Sequence, residues 1–337
     1  GLYSAPGRTE IGGNHTDHQH GRVLAGSVNI DMIAAAAPNR LNQLRVQSEG
    51  YDLCVIDLAD LTARKEEENT SAAILRGECK AFQERGASLS GLDVYISSNV
   101  PKGSGVSSSA AFEVLIGVIL NDCFMTEKVS PIAIAQIGQW AENVYFGKPC
   151  GAQDQLASAC GGTVLLDFGP KVPTVTPLAF DATGVGYAVV LVDSRQDHSV
   201  HTEEFASVPA DMRMVANHLG VARLGDTTAD VLLANLQDVR AALGDGRAMR
   251  ALHYFDEVAR VDRQCQALEE GDFPLFLKCV RLSGASSAQF LQNVSPHGDG
   301  SGERQPAMLI QGLCAHLLSE EGAWRIHGGG FGGSVLA

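Results

Sequence analysis

Basic residues are scarce in this chain, which carries 25 Lys and Arg against 39 Asp and Glu and has a formal net charge of -14. Nucleic acids and anionic membrane surfaces attract proteins through basic patches, so this balance argues against either as a partner. A phosphate-rich ligand would need a local positive field instead. Backbone N–H groups, a divalent cation and one or two Lys or Arg side chains can supply one.

Long apolar runs are also missing. A membrane-spanning helix needs roughly 18 consecutive apolar residues, and the richest stretch, residues 110–120, is too short and contains Glu113. No basic leader with a cleavage site opens the sequence. Eight cysteines occur, but none forms a CxxC pair, which disfavours a disulfide framework at this length. We therefore expect a cytoplasmic protein with reduced thiols.

The chain is long enough for two domains, with 337 residues and a mean hydropathy of +0.02, values typical of a globular protein. Strands and helices alternate with turn signals in both halves, so we predict an α+β fold. We place the boundary in the Pro- and Gly-containing stretch 169–186. The predicted domains are residues 1–175 and 176–337.

Local patterns predict several elements. Alternating apolar and polar residues over 92–97 indicate a half-buried strand. Thr70 could cap a helix, and Ser130 followed by Pro131 is typical of a helix start. In the more helical second half, residues 228–243 read as one helix.

A Gly- and Ser-rich loop follows the strand at 92–97 and precedes a predicted helix. Glycines let the backbone approach a ligand, and a helix start offers unpaired N–H groups and a partial positive charge. This arrangement suits a nucleoside triphosphate, although the GK[ST] of the common P-loop is absent. The alternative is a Ser-rich N-cap on a packed helix. The candidate phosphate-binding residues are Lys102, Gly103, Ser104, Gly105, Ser107, Ser108 and Ser109.

The opening segment concentrates polar side chains among several glycines. Asp17 can accept hydrogen bonds from a pair of hydroxyls, while Asn14 and His15 can donate or accept. Arg8 could stabilise developing phosphoryl charge. Two alternatives stay open. One is a solvated turn, and the other is a metal site in the HTDHQH run, whose spacing fits neither an HExxH helix nor a zinc finger.

Two carboxylates lie on either side of a Gly- and Pro-containing turn. Glu142 sits on a predicted helix, and Asp154 follows it past the turn. One carboxylate that holds Mg²⁺ and one that accepts a proton are the minimum for phosphoryl transfer to an alcohol. The alternative is a solvated helix face for Glu142 and a helix cap for Asp154. A glycine cluster at 328–333 implies a close approach of backbone segments.

Together these four segments resemble the GHMP kinase superfamily and, within it, the galactokinases. GRTEIGGNHTDHQHG is similar to the galactokinase signature and PKGSGVSSSAAFE to the superfamily's ATP-phosphate loop. YFGKPCGAQDQ resembles the segment with the catalytic Asp, and HGGGFGG the third superfamily motif. The resemblance implies an N-terminal α/β domain and a C-terminal ferredoxin-like domain. It also implies ATP-dependent phosphorylation of the anomeric C1 hydroxyl of a sugar.

The resemblance implies a role for each matched position. Asp154 falls on the catalytic Asp that accepts the sugar proton, and Arg8 falls on the Arg beside it. Glu142 and Ser109, with Ser108 as the alternative to Ser109, fall on the Mg²⁺ ligands. The expected ligands are ATP, Mg²⁺ and a small-molecule sugar, bound by a monomer or a small homo-oligomer. The implied sugar-binding residues are Asn14, His15, Asp17, Gly151 and Phe205.

Two positions depart from the family pattern, because Asn14 stands where Glu is usual and Phe205 where Tyr is usual. Asn14 removes a negative charge expected near the hydroxymethyl end of galactose, so a carboxylate, as in galacturonate, would be tolerated. Because Asn can still bond a hydroxyl, we expect galactose, with galacturonate or another galactose-configured sugar as the alternative. A non-catalytic sugar sensor and a metal-dependent hydrolase using the HTDHQH histidines also stay open.

Overall fold

The computed structural model describes residues 1–101, 105–148, 150–196, 201–296 and 304–337. Three of the predicted phosphate-binding residues, Lys102, Gly103 and Ser104, lie outside this part. The chain divides into two compact units. Unit 1 comprises Gly1–Arg8, Ser27–Lys102 and Val106–Gly161, and unit 2 comprises Thr9–Gly26, Gly103–Gly105 and Gly162–Ala337. The boundary that we place near residue 175 stays a prediction.

Strands and helices are both abundant in the described part of the chain. The strands are β1 (Leu2–Gly12), β2 (Arg22–Pro38), β3 (Gln43–Ser48), β4 (Cys54–Asp57), β5 (Leu92–Ser98), β6 (Thr163–Asp167), β7 (Thr174–Leu178), β8 (Leu191–Gln196), β9 (Arg325–Ile326) and β10 (Gly333–Leu336). The α-helices are α1 (Ser71–Glu84), α2 (Ser108–Phe124), α3 (Pro131–Ala141), α4 (Gln153–Cys160), α5 (Thr202–His218), α6 (Ala229–Ala234), α7 (Leu236–Leu243), α8 (Asp245–Glu270), α9 (Phe273–Ser286) and α10 (Pro306–Leu318).

Unit 1 contains a sheet with the strand order β4-β3-β5-β2, to which β2 contributes its later residues. The β3–β5 pair is parallel, and β4 and β2 pair antiparallel with their neighbours. The alternation predicted for β5 is confirmed, because Leu92, Val94 and Ile96 are buried while Asp93 and Tyr95 are exposed. Helices α1 to α4 pack against one another in this unit.

Two helix starts in unit 1 carry residues of interest. The cap predicted at Ser130 is confirmed, since its side chain accepts a hydrogen bond from the Ala133 N–H. Thr70, by contrast, makes no side-chain cap bond. Helix α3 continues into a π-helical turn, Glu142–Phe146, which ends at Gly147 with a φ of 85°. This turn holds Glu142 in a buried position.

Unit 2 pairs the first residues of β2 with β6, and β6 with β7, in antiparallel register. A separate sheet has the order β8-β10-β9 and is antiparallel. Helices α5 to α8 surround a core that includes Met212, Tyr254 and Phe331. The single helix predicted over 228–243 is wrong, because Asn235 leaves helical geometry (φ -106°, ψ 9°) and separates α6 from α7.

The mixture of strands and helices confirms the α+β class. No helix within the described ranges is both long and apolar enough to cross a membrane. All eight cysteines lie in described positions and are free thiols.

Candidate active site

In unit 1, Arg8 of β1 and Asp154 of α4 form a two-pronged ion pair. Arg8 Nε lies 2.8 Å from Oδ1 of Asp154, and Nη2 lies 2.8 Å from Oδ2. The Arg8 side chain is 8% exposed and that of Asp154 is 36% exposed. Paired charge-assisted bonds of this kind fix both the position and the plane of a carboxylate. The structure therefore brings the two predicted catalytic residues together.

Asp154 is held in its ionised form. Burial acts to raise the pKa of this carboxyl, but the charge of Arg8 and hydrogen bonds from Arg8 and Ser107 outweigh it, so the pKa lies below its ordinary value. An ionised carboxylate can accept a proton, and it stays available well into the acid range.

Ser107 is a third member of this arrangement. Its Oγ donates a hydrogen bond to Oδ2 of Asp154. The residue precedes α2 and has a φ of 54°, in the left-handed region that is unfavourable for a residue with a Cβ. This backbone conformation directs the hydroxyl at Asp154. The sequence predicts a phosphate contact for Ser107, and its bond to Asp154 gives it a role that the motif did not reveal.

A second carboxylate cluster lies close to Asp154. The Nε2 of Gln155 donates to Glu113 Oε2 at 2.8 Å and to Glu142 Oε2 at 3.1 Å. Lys148 Nζ lies 3.4 Å from the other oxygen of Glu142. Burial, and then the charge of Glu142, raise the pKa of Glu113 to about 8. Glu113 therefore carries a proton at neutral pH while sitting beside the predicted Mg²⁺ ligand.

The donors in this cluster suit a magnesium ion that is bound together with a nucleotide. Mg²⁺ prefers oxygen ligands and is commonly held by one or two carboxylates plus phosphates and water. Glu142 supplies a carboxylate, and the Oε1 of Gln155 is a buried acceptor with no partner among the described residues. Within that part of the chain no group of three or more His, Cys, Asp or Glu side chains could hold a metal ion alone.

The start of α2 supplies hydroxyls and backbone N–H groups. Ser108 is half-buried and Ser109 is exposed in the first turn. The N-terminal end of a helix of this length favours anions such as phosphate. In unit 2, Gly105 has a φ of 86°, and a Cβ there would lie 2.9 Å from the ring of His327. Both the conformation and the space at this position therefore require glycine.

In unit 2, residues 13–17 form a tight turn that we call the N-terminal turn. Gly13 and His15 both have positive φ values, 95° and 59°. Thr16 stabilises the turn, because its Oγ1 lies 2.9 Å from the carbonyl oxygen of Gly13 and 2.7 Å from that of Arg22. Asp17 follows with a side chain that is 9% exposed and lies 3.6 Å from His18. Three of the predicted sugar-binding residues, Asn14, His15 and Asp17, are thus carried on one turn.

Asn14 is fully buried, and both ends of its amide are engaged by the protein. Its Nδ2 donates to Glu10 Oε1 at 3.0 Å and to the Gly328 carbonyl at 2.6 Å. Its Oδ1 accepts from Asn293 Nδ2 at 2.8 Å and from Ser287 Oγ at 3.3 Å. These bonds tie the N-terminal turn to the glycine cluster, which accounts for the close approach that the cluster predicts.

The carboxylate beside Asn14 belongs to Glu10. Arg325 Nη2 lies 2.6 Å from the same Oε1 of Glu10, and both side chains are buried. A buried carboxylate must be paired or it is strongly destabilising. A carboxylate paired with Arg325 therefore lies directly beside the Asn14 amide.

His15 and Phe205 lie side by side in unit 2, with ring centroids 5.0 Å apart. His15 Nε2 donates to the Gly329 carbonyl at 2.9 Å. Burial lowers the pKa of His15 to about 4, so the ring is neutral near pH 7. A Cβ at Gly329 would lie 2.0 Å from the Phe205 ring, which explains why this position of the glycine cluster has no side chain.

Sequence reasoning missed several residues that support these groups. Glu10 and Gln155 lie inside matched motifs but received no role there, and Arg325 lies outside the motifs; their partners include residues that are distant in sequence. Glu113 left a signal, since it is a carboxylate inside the apolar run 110–120. Gly151 lies half-buried three residues before Asp154, and its contact with a sugar stays a prediction.

Comparisons with known proteins show which family and fold this chain is similar to. Residues 72–162 match the family profile of the GHMP kinases N terminal domain, and residues 1–38 match the galactokinase galactose-binding signature. The crystal structure of Lactococcus lactis galactokinase complexed with galactose superposes with a TM-score of 0.82 at 23% identity, covering 100% of this chain and 84% of the other. The crystal structure of L. major mevalonate kinase in complex with R-mevalonate gives a TM-score of 0.65 at 17% identity, covering 100% of this chain and 86% of the other. These matches confirm the GHMP kinase fold.

The sequence relationship is closer to a galactokinase of Streptomyces coelicolor. The two are 33% identical over 344 residues, an alignment that covers 100% of this chain and 84% of the relative. Because this identity extends over the whole chain, and the galactokinase signature matches at its beginning, the chain belongs to the galactokinase family of GHMP kinases.

Proposed function

We propose that this chain is a sugar 1-kinase that transfers the γ-phosphoryl group of ATP to the C1 hydroxyl of galactose, giving galactose 1-phosphate and ADP. The observation that carries the proposal is the Arg8–Asp154 pair, joined by Ser107, in a chain of the galactokinase family. A kinase that acts on an alcohol needs a positioned carboxylate to receive the hydroxyl proton, and this one is fixed and ionised.

The chemistry requires one proton transfer and one exchange of P–O bonds. The C1 hydroxyl gives its proton to Asp154 as its oxygen bonds to the γ-phosphorus, and the bond from that phosphorus to the oxygen of ADP breaks. Arg8 keeps the carboxylate in place and in its ionised form. Most of the remaining rate enhancement in phosphoryl transfer comes from positioning and from charge stabilisation.

The proposed ATP-binding groups are the start of α2, the loop before it and the carboxylate cluster around Glu142. We assign the phosphates to the start of α2, with Ser107, Ser108 and Ser109, and to the preceding residues of the Gly- and Ser-rich loop. Glu142 and Ser109 would hold Mg²⁺, which supplies positive charge to the phosphates when bound. Lys148, 3.4 Å from Glu142, adds a cation at the same place.

The N-terminal turn and Phe205 are the proposed sugar-binding elements in unit 2. Asp17 and His15 carry polar groups suited to hydroxyls, and Phe205 offers an aromatic face beside His15. Asn14 holds the N-terminal turn in place through its bonds to four protein groups. Its direct contact with the sugar stays a prediction.

The position of Glu10 favours galactose over galacturonate. Tolerance of a sugar carboxylate was expected because Asn14 removes a negative charge. Since Glu10 lies 3.0 Å from the Asn14 amide and its charge is already matched by Arg325, the segment offers no extra cation for a uronate. We therefore propose a neutral galactose-configured sugar as substrate. A cytoplasmic location and a monomer or small homo-oligomer stay predictions from the sequence.

The test is a measurement of ADP release with ATP and Mg²⁺ against galactose, galacturonate, glucose, arabinose and N-acetylgalactosamine, with the phosphorylated product identified by ³¹P NMR. We expect the highest kcat/KM with galactose and a product phosphorylated at C1. Turnover of galacturonate but not of galactose would assign another substrate. Galactose binding without any ADP release would assign a sugar sensor.

A further inference from the structure

Helix α8 holds the backbone of the N-terminal turn through two side chains one helical turn apart. Glu257 Oε1 accepts hydrogen bonds from the Gly13 N–H at 2.9 Å and from the Asn14 N–H at 3.4 Å. His253 Nε2 lies 3.0 Å from the Asn14 carbonyl oxygen. Because a carbonyl only accepts, Nε2 carries the hydrogen, and Nδ1 then accepts from Ser286 Oγ at 2.9 Å.

The charge of Glu257 is built into this arrangement. Both Glu257 and His253 are fully buried. Burial acts to raise the pKa of Glu257, but the positive charges of Arg260 and Arg325 and a hydrogen bond from Ser283 outweigh it and lower the pKa to about 2. Two successive backbone N–H groups form a concave site for an anion. Here that anion is a side chain of the same chain, so the turn is held by an internal carboxylate.

The turn needs such support because its backbone is unfavourable. His15 adopts a φ of 59°, a region in which the Cβ is crowded by the backbone. The preceding Gly13 and Asn14 are the residues that Glu257 and His253 hold. The direction of the His15 side chain is set by this conformation, and so depends on bonds made one and two residues earlier.

We propose that Glu257 and His253 are positioning residues for sugar recognition, which fix the backbone of Gly13 and Asn14 and thereby aim His15 and Asp17 at the sugar. The inference rests on the proposed function, in which the N-terminal turn binds the sugar. Neither residue has to contact the ligand. Their loss should weaken sugar binding and leave the phosphoryl-transfer groups of unit 1 in place.

Two matched variants separate positioning from general stability. In His253→Asn the amide replaces Nδ1, so the bond to Ser286 is kept while the bond to the Asn14 carbonyl is lost. In His253→Gln the amide reaches the place of Nε2 and keeps the bond to Asn14. Misplacing a binding group by about 1 Å costs on the order of 100-fold. We therefore expect His253→Asn to raise the KM for galactose by roughly 10- to 100-fold, with kcat and the KM for ATP nearly unchanged.

The result for His253→Gln completes the comparison, since it should have a galactose KM close to that of the unchanged protein. A fall in kcat with an unchanged galactose KM in His253→Asn would show only a smaller folded fraction and would overturn the proposal. Equal KM values in the two variants would overturn it as well. If His253→Asn does not fold, Glu257→Met takes its place, because it removes the acceptor of the Gly13 and Asn14 N–H bonds, and it must show the same rise in galactose KM.

Calorimetric titration with galactose keeps this inference distinct from the proposed function. If the unchanged chain phosphorylates galactose and His253→Asn binds galactose equally well, the positioning role fails and the kinase assignment stands. If no sugar is phosphorylated but galactose binds, weaker binding by His253→Asn supports the positioning role while the kinase assignment fails. An unchanged chain that binds no galactose overturns both.

Discussion

Arg8 meets Asp154 edge to edge, with Nε 2.8 Å from Oδ1 and Nη2 2.8 Å from Oδ2. The two residues are 146 positions apart in sequence, and both oxygens of the carboxylate are engaged by the guanidinium. This geometry leaves Asp154 ionised and fixed in orientation. Arg8 therefore sets both the pKa and the direction of the carboxylate that we propose as the acceptor of the sugar proton.

Replacing Arg8 should move the acid limb of the pH–rate profile. In the unchanged protein the pKa of Asp154 lies below its ordinary value, so kcat/KM should hold down to about pH 4, where an unperturbed Asp titrates. In Arg8→Met the positive charge is gone, so the ionised form of Asp154 is less stable relative to its protonated form and the pKa of Asp154 is higher. The midpoint of the acid limb should then move to a pH that is roughly one to three units higher. The control is Arg240→Met, which removes an exposed ion pair and should leave the midpoint where it is. An unmoved midpoint in Arg8→Met would show that the Arg8–Asp154 pair does not set the pKa of Asp154.

Ser107 should matter through its hydroxyl and not through its backbone. Ser107→Ala removes the bond to Asp154 and keeps a Cβ at the positive φ, while Ser107→Gly removes the bond and relieves the backbone. Losing one hydrogen bond to a charged group should lower kcat by roughly tenfold in both variants. Steady-state kinetics with saturating ATP and galactose measures this. A difference between the two variants would point to the backbone conformation instead.

Gly329 has no room for a Cβ unless the Phe205 ring moves. A Cβ at this position would lie 2.0 Å from the Phe205 ring, so Gly329→Ala must displace a residue that lies against His15. We expect the KM for galactose to rise by roughly 10- to 100-fold. Gly312→Ala, in α10 with no atom within 4 Å of the new Cβ, is the matched control and should leave KM unchanged. Normal KM in Gly329→Ala would remove Phe205 from the proposed sugar site.

Glu113 should make stability depend on pH. Its pKa of about 8 lies above the value of about 4.3 expected in the unfolded chain, so the folded state keeps the proton over this interval. The corresponding stability is fully present below about pH 4.3 and is lost as the pH rises through 8. Glu113→Gln carries no titrating proton, so its Tm should fall less between pH 6 and pH 9 than that of the unchanged protein. Curves of Tm against pH that are parallel for Glu113→Gln and the unchanged protein would contradict the raised pKa of Glu113.

The parts that sequence predicted well are those encoded locally. The alternation in β5 and the Ser130 cap depend on neighbouring residues, and both are present in the structure. The fold class followed from many such signals. The interrupted helix at 228–243 was missed because neither Gly nor Pro marks the break, which occurs at Asn235.

The parts of the site that sequence could not give depend on residues far apart in the chain. A sugar contact of Asn14 stays a prediction, and what the sequence did not show is that its amide is bonded to Gly328, Asn293 and Ser287, more than 270 positions later. The Glu113–Gln155 bond joins residues 42 positions apart. Motif matching assigns a role to each position from a family pattern, whereas these partners are fixed only by the packing of this chain.

Turnover by Asp154→Asn tests the central claim most directly. The amide keeps the shape of the side chain and removes the proton acceptor, so galactose binding measured by calorimetry should stay near that of the unchanged protein. The rate of galactose 1-phosphate formation should fall by roughly 100- to 10,000-fold, while the exposed-site control Asp245→Asn keeps full rate. Formation of galactose 1-phosphate by Asp154→Asn at a near-normal rate would contradict the account.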